Sequence, residues 1–202
     1  MSAKRESPAA QRNREPIADV LAQVLPETGR VLEIASGTGE HVVHFAARFP
    51  DLQWHPTDPD PASRGSIAAY LADAGLDNVA APEMLDAAGP PEKWPLNAAD
   101  AIVCVNMIHI SPWDASEGLF AGAQALLPRK DGPLVLYGPY LEPDVETAPS
   151  NLAFNESLKA RNPHWGLRDI SDVDALAAKQ GFVRTRRFAM PANNLLLVYR
   201  KG

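Results

Sequence analysis

The sequence predicts one α/β domain built on a doubly wound, mostly parallel sheet. Short β-branched apolar runs alternate with helical patterns along the 202 residues. The clearest run, 99–106, is nearly all apolar, as expected of a strand buried on both faces. The chain then ends in two neighbouring strand patterns, 182–188 and 194–200, which Asn193-Asn194 could join as a hairpin. A chain of this length can bury one sizeable core, and no internal repeat or second domain is evident.

Residues 1–15 read as a polar arm carrying Lys4, Arg5, Arg12 and Arg14. A helix is expected over 17–25, with Pro16 in its first turn and Val20, Leu21, Val24 and Leu25 at helical spacing. Pro26 and Gly29 end it. Strand 30–34 follows, then a glycine turn and a helix over 41–49. Residues 52–58 read as a short strand ending at an acid. The next helix, 61–74, stops at Gly75, and 78–80 is a weak strand. After the 99–106 strand comes a helix over 114–127, then a strand over 133–140. Residues 141–168 are the least regular part. A helix around 152–161 interrupts them, and the segment is placed to serve as a substrate lid. A helix over 172–180 precedes the final strands.

Net charge is −6, which argues against a long nucleic-acid track. The single cysteine, Cys104, excludes an internal disulfide and reads as a small core residue. No apolar run has the length of a membrane span, and residues 1–16 lack the apolar core of a signal peptide, so a cytoplasmic location is the expectation. His41 and His44 lie one helical turn apart, but no further metal ligand is evident, so no metal is expected. A G-x-S-x-G nucleophile elbow is also missing.

The chemistry concentrates in Glu33-Ile34-Ala35-Ser36-Gly37-Thr38-Gly39-Glu40-His41. Glycines let backbone approach a ligand and adopt positive φ, and the helix beyond offers free N–H groups. A dinucleotide fingerprint would need a third glycine, which His41-Val42 does not supply. Glu33 would also repel a pyrophosphate and suits a cofactor with a cationic end. A strand–turn–helix without any ligand is the alternative. Asp58 falls about twenty residues after the turn, where a ribose-binding carboxylate is expected, although capping the next helix is open to it. Asp86, in a loop with Gly89 and Pro90, is either a ligand contact or an exposed turn residue. The strand ending at Asn106 would lie beside the glycine-turn strand, where open α/β sheets bind ligands.

The E-x-A-x-G-x-G pattern resembles motif I of the class I S-adenosylmethionine (SAM) methyltransferases. Further phrases are similar to an uncharacterised methyltransferase-like family of the same length. They are Pro8-Ala9-Ala10 with Arg12-Asn13, Asn106-Met107-Ile108-His109-Ile110-Ser111-Pro112-Trp113, Tyr137-Gly138-Pro139-Tyr140, Asn151 with Phe154 and Asn155, and Trp165-Gly166-Leu167-Arg168. The resemblance implies a Rossmann-like, seven-stranded sheet whose last strand is antiparallel. It implies SAM as cofactor, held by Glu33, Ala35, Ser36, Gly37, Thr38, Gly39, His41, Asp58 and Pro59. Leu85, Asp86, Asn106 and Met107 complete that set, with Arg12 and Asn13 folding over the cofactor carboxylate. His109 is the first candidate for a catalytic base, packing against Trp113 being its alternative, and Tyr140 is the second catalytic candidate. Ile108, Trp113, Tyr137, Asn151, Trp165 and Arg168 would face the acceptor. The implied reaction is in-line transfer of a methyl group to an O, N or S atom of a small molecule. The adenine-N6 and glutamine enzymes of that class carry an Asn/Asp-Pro-Pro-aromatic motif where this chain has Asn106-Met107-Ile108-His109, which disfavours nucleic-acid amines. A non-catalytic SAM-binding subunit and a nicotinamide-dependent oxidoreductase remain the other readings.

Overall fold

The computed structural model describes residues 4–128 and 130–202. The chain begins with helix α1, Pro8–Leu21, well before the expected start at 17. Ser7 caps it, its side chain accepting from the Ala10 N–H at 3.2 Å, and Pro8 takes the first helical position, where a missing N–H costs nothing. Pro16 therefore lies inside the helix, not in its first turn. An interior proline costs about 3 kcal/mol. Burial of Ile17, Ala18, Val20 and Leu21 offsets it, since each large apolar side chain contributes about 1.5–3 kcal/mol.

The remaining elements alternate. They are β1 (Gly29–Ile34), α2 (Glu40–Arg48), β2 (Leu52–Pro56), α3 (Pro61–Ala74), β3 (Ala101–Val105) and α4 (Trp113–Leu126). Next come β4 (Leu134–Gly138), β5 (Tyr140–Leu141), α5 (Pro149–Arg161), β6 (Arg168–Asp169), α6 (Ile170–Lys179), β7 (Phe182–Met190) and β8 (Asn194–Lys201). The main sheet has six strands in the order β2-β1-β3-β4-β8-β7, and β5 pairs with β6 separately. Strand β8 runs antiparallel to both neighbours, so the expected antiparallel last strand is present.

The expected strand at 78–80 is reduced to isolated bridges beside β2 at Val79 and Glu83. Trp54 donates to the Asn78 carbonyl and receives the Ala80 N–H, both at 2.9 Å. The ladder is interrupted between the two bridges because Pro82 has no N–H to donate and Ala80-Ala81 offers little side chain to pack.

Two apolar layers cover the sheet. Along β3, Ala101 and Val103 join Ile17, Leu21, Val42 and Phe45 on the α1–α2 face. Ile102 and Cys104 join Leu119, Phe120 and Val173 on the α4–α6 face. Cys104 is thus a core residue, as its sequence context predicts. Strand β1 pairs with β2 on one side and β3 on the other, Ile34 lying opposite Cys104. The chain reverses its winding between these two strands, and a crevice opens past their carboxyl ends.

Candidate functional site

At that crevice the β1–α2 turn folds tightly. Ala35, Gly37 and Gly39 all have positive φ (55°, 60° and 95°). A Cβ on Gly39 would lie 2.8 Å from the Ile67 Cα, so helix α3 approaches the turn at a distance only glycine permits. Thr57 locks the turn from β2. Its hydroxyl donates to the Glu33 carbonyl at 2.7 Å, and its own carbonyl accepts the Ser36 N–H at 2.8 Å. Asp58 follows, accepting from the Gly37 N–H and the Asp60 N–H, each at 2.9 Å.

These residues wall a cavity of about 380 Å³. Ala35, Ser36, Gly37, Thr38 and His41 form one side, Asp58 and Pro59 the next. Leu85 and Asp86 come from the loop after the bridged segment, and Asn106 and Met107 from the end of β3. The structure thus brings together most of the residues expected around a cofactor. Asp86 is exposed and also closes its own loop, its carboxylate accepting the Ala88 N–H at 3.0 Å. The cavity also takes in Ser7 and Ala10 from the start of α1, and Ala87, Ile110, Ser111 and Ala115 from the α4 side, which sequence reasoning missed. Ser7-Pro8 is a helix-start signature that could have moved α1 to its true beginning and hence to the site.

Four expected cofactor residues are not on the wall. Gly39 caps α2 behind it. Arg12 is exposed on α1, whereas Asn13 faces inward, its Oδ1 2.8 Å from His41 Nε2. Glu33 is buried just behind Ile34 and Ser36, and its Oε2 has no hydrogen-bond partner among the described residues. Burial pushes its carboxyl up to about 8, against a lowering contact with Ser36, and the Asp58 carboxylate adds to the rise. Burial likewise pushes His41 down to about 4, Glu40 opposing and His44 and Arg14 reinforcing, so this imidazole is neutral near pH 7.

The expected catalytic pair requires correction. His109 is fully buried, and neither it nor Tyr140 lines the cavity. Their rings meet edge to face with centroids 4.8 Å apart, and a Cβ on Gly138 would run into the His109 ring. Burial, with Arg168 reinforcing it, pushes His109 down to about 3. The imidazole packs against Gly138 and Tyr140 off the cavity wall, and neither of its ring nitrogens has a hydrogen-bond partner among the described residues.

The residues expected to face the acceptor also lie elsewhere. Ile108 and Tyr137 are buried, and Asn151 donates to the Asn193 carbonyl at 2.9 Å. Trp165 lies against Arg161. Arg168 spans the Ile108 and Ser111 carbonyls at 2.8 and 2.6 Å, with its guanidinium over Trp113. Trp113 and Arg168 border a separate surface cleft. No residue of 141–168 lines the cavity, and the segment is tied to the β7–β8 turn and to the loop after β3 instead.

Solved structures share this fold. An O-methyltransferase family protein from Burkholderia thailandensis superposes with a TM-score of 0.80 at 17% identity, over 96% of this chain and 57% of that one. The mitomycin 7-O-methyltransferase MmcR gives 0.77 at 18% identity, over 98% and 59%. CalO1, a methyltransferase in calicheamicin biosynthesis solved in its S-adenosylhomocysteine (SAH) bound form, gives 0.74 at 14%, over 96% and 55%. This chain therefore spans under two thirds of the length of these relatives. The sheet and its crevice give this chain the α/β Rossmann-like fold that these solved methyltransferase structures share. Residues 4–201 match the family described as "Protein of unknown function (DUF938)", and the chain belongs to it.

Proposed function

We propose that this protein binds SAM in the switch-point cavity and transfers its methyl group to an O, N or S atom of a small-molecule acceptor. The observation that carries this reading is the meeting of the glycine turn, Asp58 and the end of β3 around one cavity, with the Glu33 carboxyl buried off its wall and its Oε2 without a hydrogen-bond partner among the described residues. Its volume falls in the range of about 300–1,000 Å³ typical of small-molecule sites. Leu85, Ala87 and Ala115 supply apolar wall of the kind a nucleobase packs against. Asp58 is already oriented by two backbone N–H groups and retains lone pairs for two ribose hydroxyls. Glu33 lies where a nearby cation would favour its ionised form.

The cofactor, when bound, supplies a methyl group on a positively charged sulfur with a neutral leaving group. The protein's part is then to hold the acceptor in line, a contribution that reaches effective molarities of about 10⁵–10⁸ M in well-oriented systems. Asn106, at φ 62°, turns the chain at the end of β3 and sets Met107 on the wall beside the open mouth at Ile110 and Ser111. A general base is needed only for acceptors that keep their proton at neutral pH, so a buried His109 is compatible with this chemistry. The O-methyltransferase neighbours favour an oxygen acceptor. Among the described residues no helix is long and apolar enough to cross a membrane, and no group of three potential ligands could hold a metal ion.

Calorimetry with SAH tests the reading. Asp58→Ala should weaken binding by about 1–3 kcal/mol, the worth of a charge-assisted hydrogen bond. Unchanged affinity would remove Asp58 from the site. Folded wild-type protein that binds no SAH would refute the function itself.

A further inference from the structure

The cavity crosses the carboxyl edge of the sheet from one layer to the other. Leu85, Ala87 and Ala115 sit on the α4 side, where Leu119 and Phe120 extend the apolar core. Ser7, Ala10 and His41 sit on the α1–α2 side. A ligand with a flat apolar end and a charged end has one favourable orientation here, its charged end towards His41. This rests on the reading of the cavity as a SAM site.

At that end three residues from distant parts of the chain converge. Asn13 of α1 places its Oδ1 2.8 Å from His41 Nε2. The Tyr137 phenol at the end of β4 lies near the same amide, which opposes the rise that burial imposes on the phenol. The geometry on the amide's oxygen side is the contact with the imidazole. An oxygen facing Nε2 requires the hydrogen on Nε2. The His41 ring stacks on Phe45 with centroids 5.4 Å apart, so one face is covered. Nδ1, the nitrogen on the other side of the ring, takes no hydrogen bond from the described residues, and His41 borders the cavity. Glu40, the nearest carboxylate in sequence, is already engaged by the Ser7 N–H, Gln11 and Thr38.

We propose that Asn13 is a positioning residue that holds His41 as its Nε2–H tautomer, so that Nδ1 stands as a hydrogen-bond acceptor for the ammonium group of the cofactor's amino-acid end. A neutral imidazole suits this task. It accepts the ammonium proton without adding a full negative charge beside the Glu33 and Asp58 carboxyls.

The arrangement is tested in two arms on the whole protein. Long-range ¹H–¹⁵N NMR of the imidazoles, without ligand, should show His41 as the Nε2–H tautomer, and Asn13→Ala should release it to a mixture while the other histidines keep their signals. An Nδ1–H tautomer in the wild type, or no change in Asn13→Ala, would overturn the positioning role. Calorimetry then compares SAH with 5′-methylthioadenosine, which lacks the amino-acid end. His41→Phe should weaken SAH about tenfold or more and methylthioadenosine by less than about twofold, as expected for one hydrogen bond to a charged group. His41→Asn, whose side-chain oxygen falls near the Nδ1 position, should recover most of the loss, whereas His41→Gln should not. If wild type binds SAH and His41→Phe binds it equally well, the assignment fails alone. If wild type binds neither nucleoside, the reading of the cavity fails and takes the ligand assignment with it, while the tautomer arm still decides the Asn13–His41 contact.

Discussion

Gly39 shows how one missing Cβ sets the geometry of the site. Its φ of 95° and its closeness to Ile67 both exclude a side chain. Gly39→Ala combines left-handed strain of about 1–2 kcal/mol with overpacking of about 1–3 kcal/mol, so a loss of about 2–5 kcal/mol is expected in urea unfolding. A variant as stable as wild type would mean that α3 yields freely. Glu33 carries a different signature. Its carboxyl is raised to about 8 in the folded chain, chiefly by burial, whereas the unfolded value is about 4.3. The folded state therefore binds this proton more tightly. The associated stability is fully present below about pH 4.3 and is lost as pH rises towards 8, by about 3 kcal/mol between pH 5 and 8. Glu33→Gln stays neutral and removes that slope. His41 and His109, pushed down to about 4 and about 3, act in the opposite sense, losing stability as pH falls below 6.5, and they cancel in the comparison of variant with wild type. A stability difference that is flat from pH 5 to 8 would show that Glu33 ionises normally.

At the scale of elements, α1 decides whether the cavity has a wall on its open side. Glu40 is the anchor, accepting from the Ser7 N–H at 2.7 Å and from Gln11 at 3.0 Å. Arg5 continues the strap across α3 through Ser66, whose hydroxyl reaches the Thr38 carbonyl. Glu40→Ala should expose the amides of residues 5–12 to hydrogen exchange while those of β1, β3 and β4 stay protected, and SAH affinity should drop several-fold. Uniform loss of protection would mean that α1 folds only together with the sheet. This helix is also where sequence and structure part most clearly. Pro16 reads as a helix start because an interior proline is costly in isolation, but Ile17 and Leu21 bury enough apolar surface to carry the helix through it. Local rules describe local costs, and here tertiary burial outweighs them. The strand expected at 78–80 fails for the converse reason, since Pro82, with no N–H to donate, interrupts the pairing between the bridges at Val79 and Glu83. By contrast α3 lies at the expected 61–74, because Asp60, Pro61 and Gly75 are local signals that no tertiary contact contradicts.

For the molecule as a whole, the fold was legible because a buried parallel strand and an amphipathic helix leave different periods in the sequence, and strict alternation leaves few ways to wind them. The lining of the crevice was legible for a related reason, since the turn after β1, Asp58 and Asn106 all sit at carboxyl ends of strands. His109, Tyr140 and Arg168 follow strands too, but where their side chains point depends on Gly138, Gly166 and the loop after β3, and spacing carries no such information. The completed cavity joins α1, the turn after β1, the end of β2, the loop before β3 and the start of α4, so a ligand filling it binds only the folded chain. SAH at a hundred times its dissociation constant should therefore stabilise the protein by about 2.7 kcal/mol. For a chain of this size that corresponds to a rise in Tm of about 5–11 °C. NADH should produce no such shift, because the turn lacks the third glycine of a dinucleotide fingerprint. A shift with NADH and none with SAH would reverse the cofactor assignment. The reverse pattern would tie the stability of the whole sheet to occupancy of the crevice, because every segment that touches the ligand must separate before the chain can unfold.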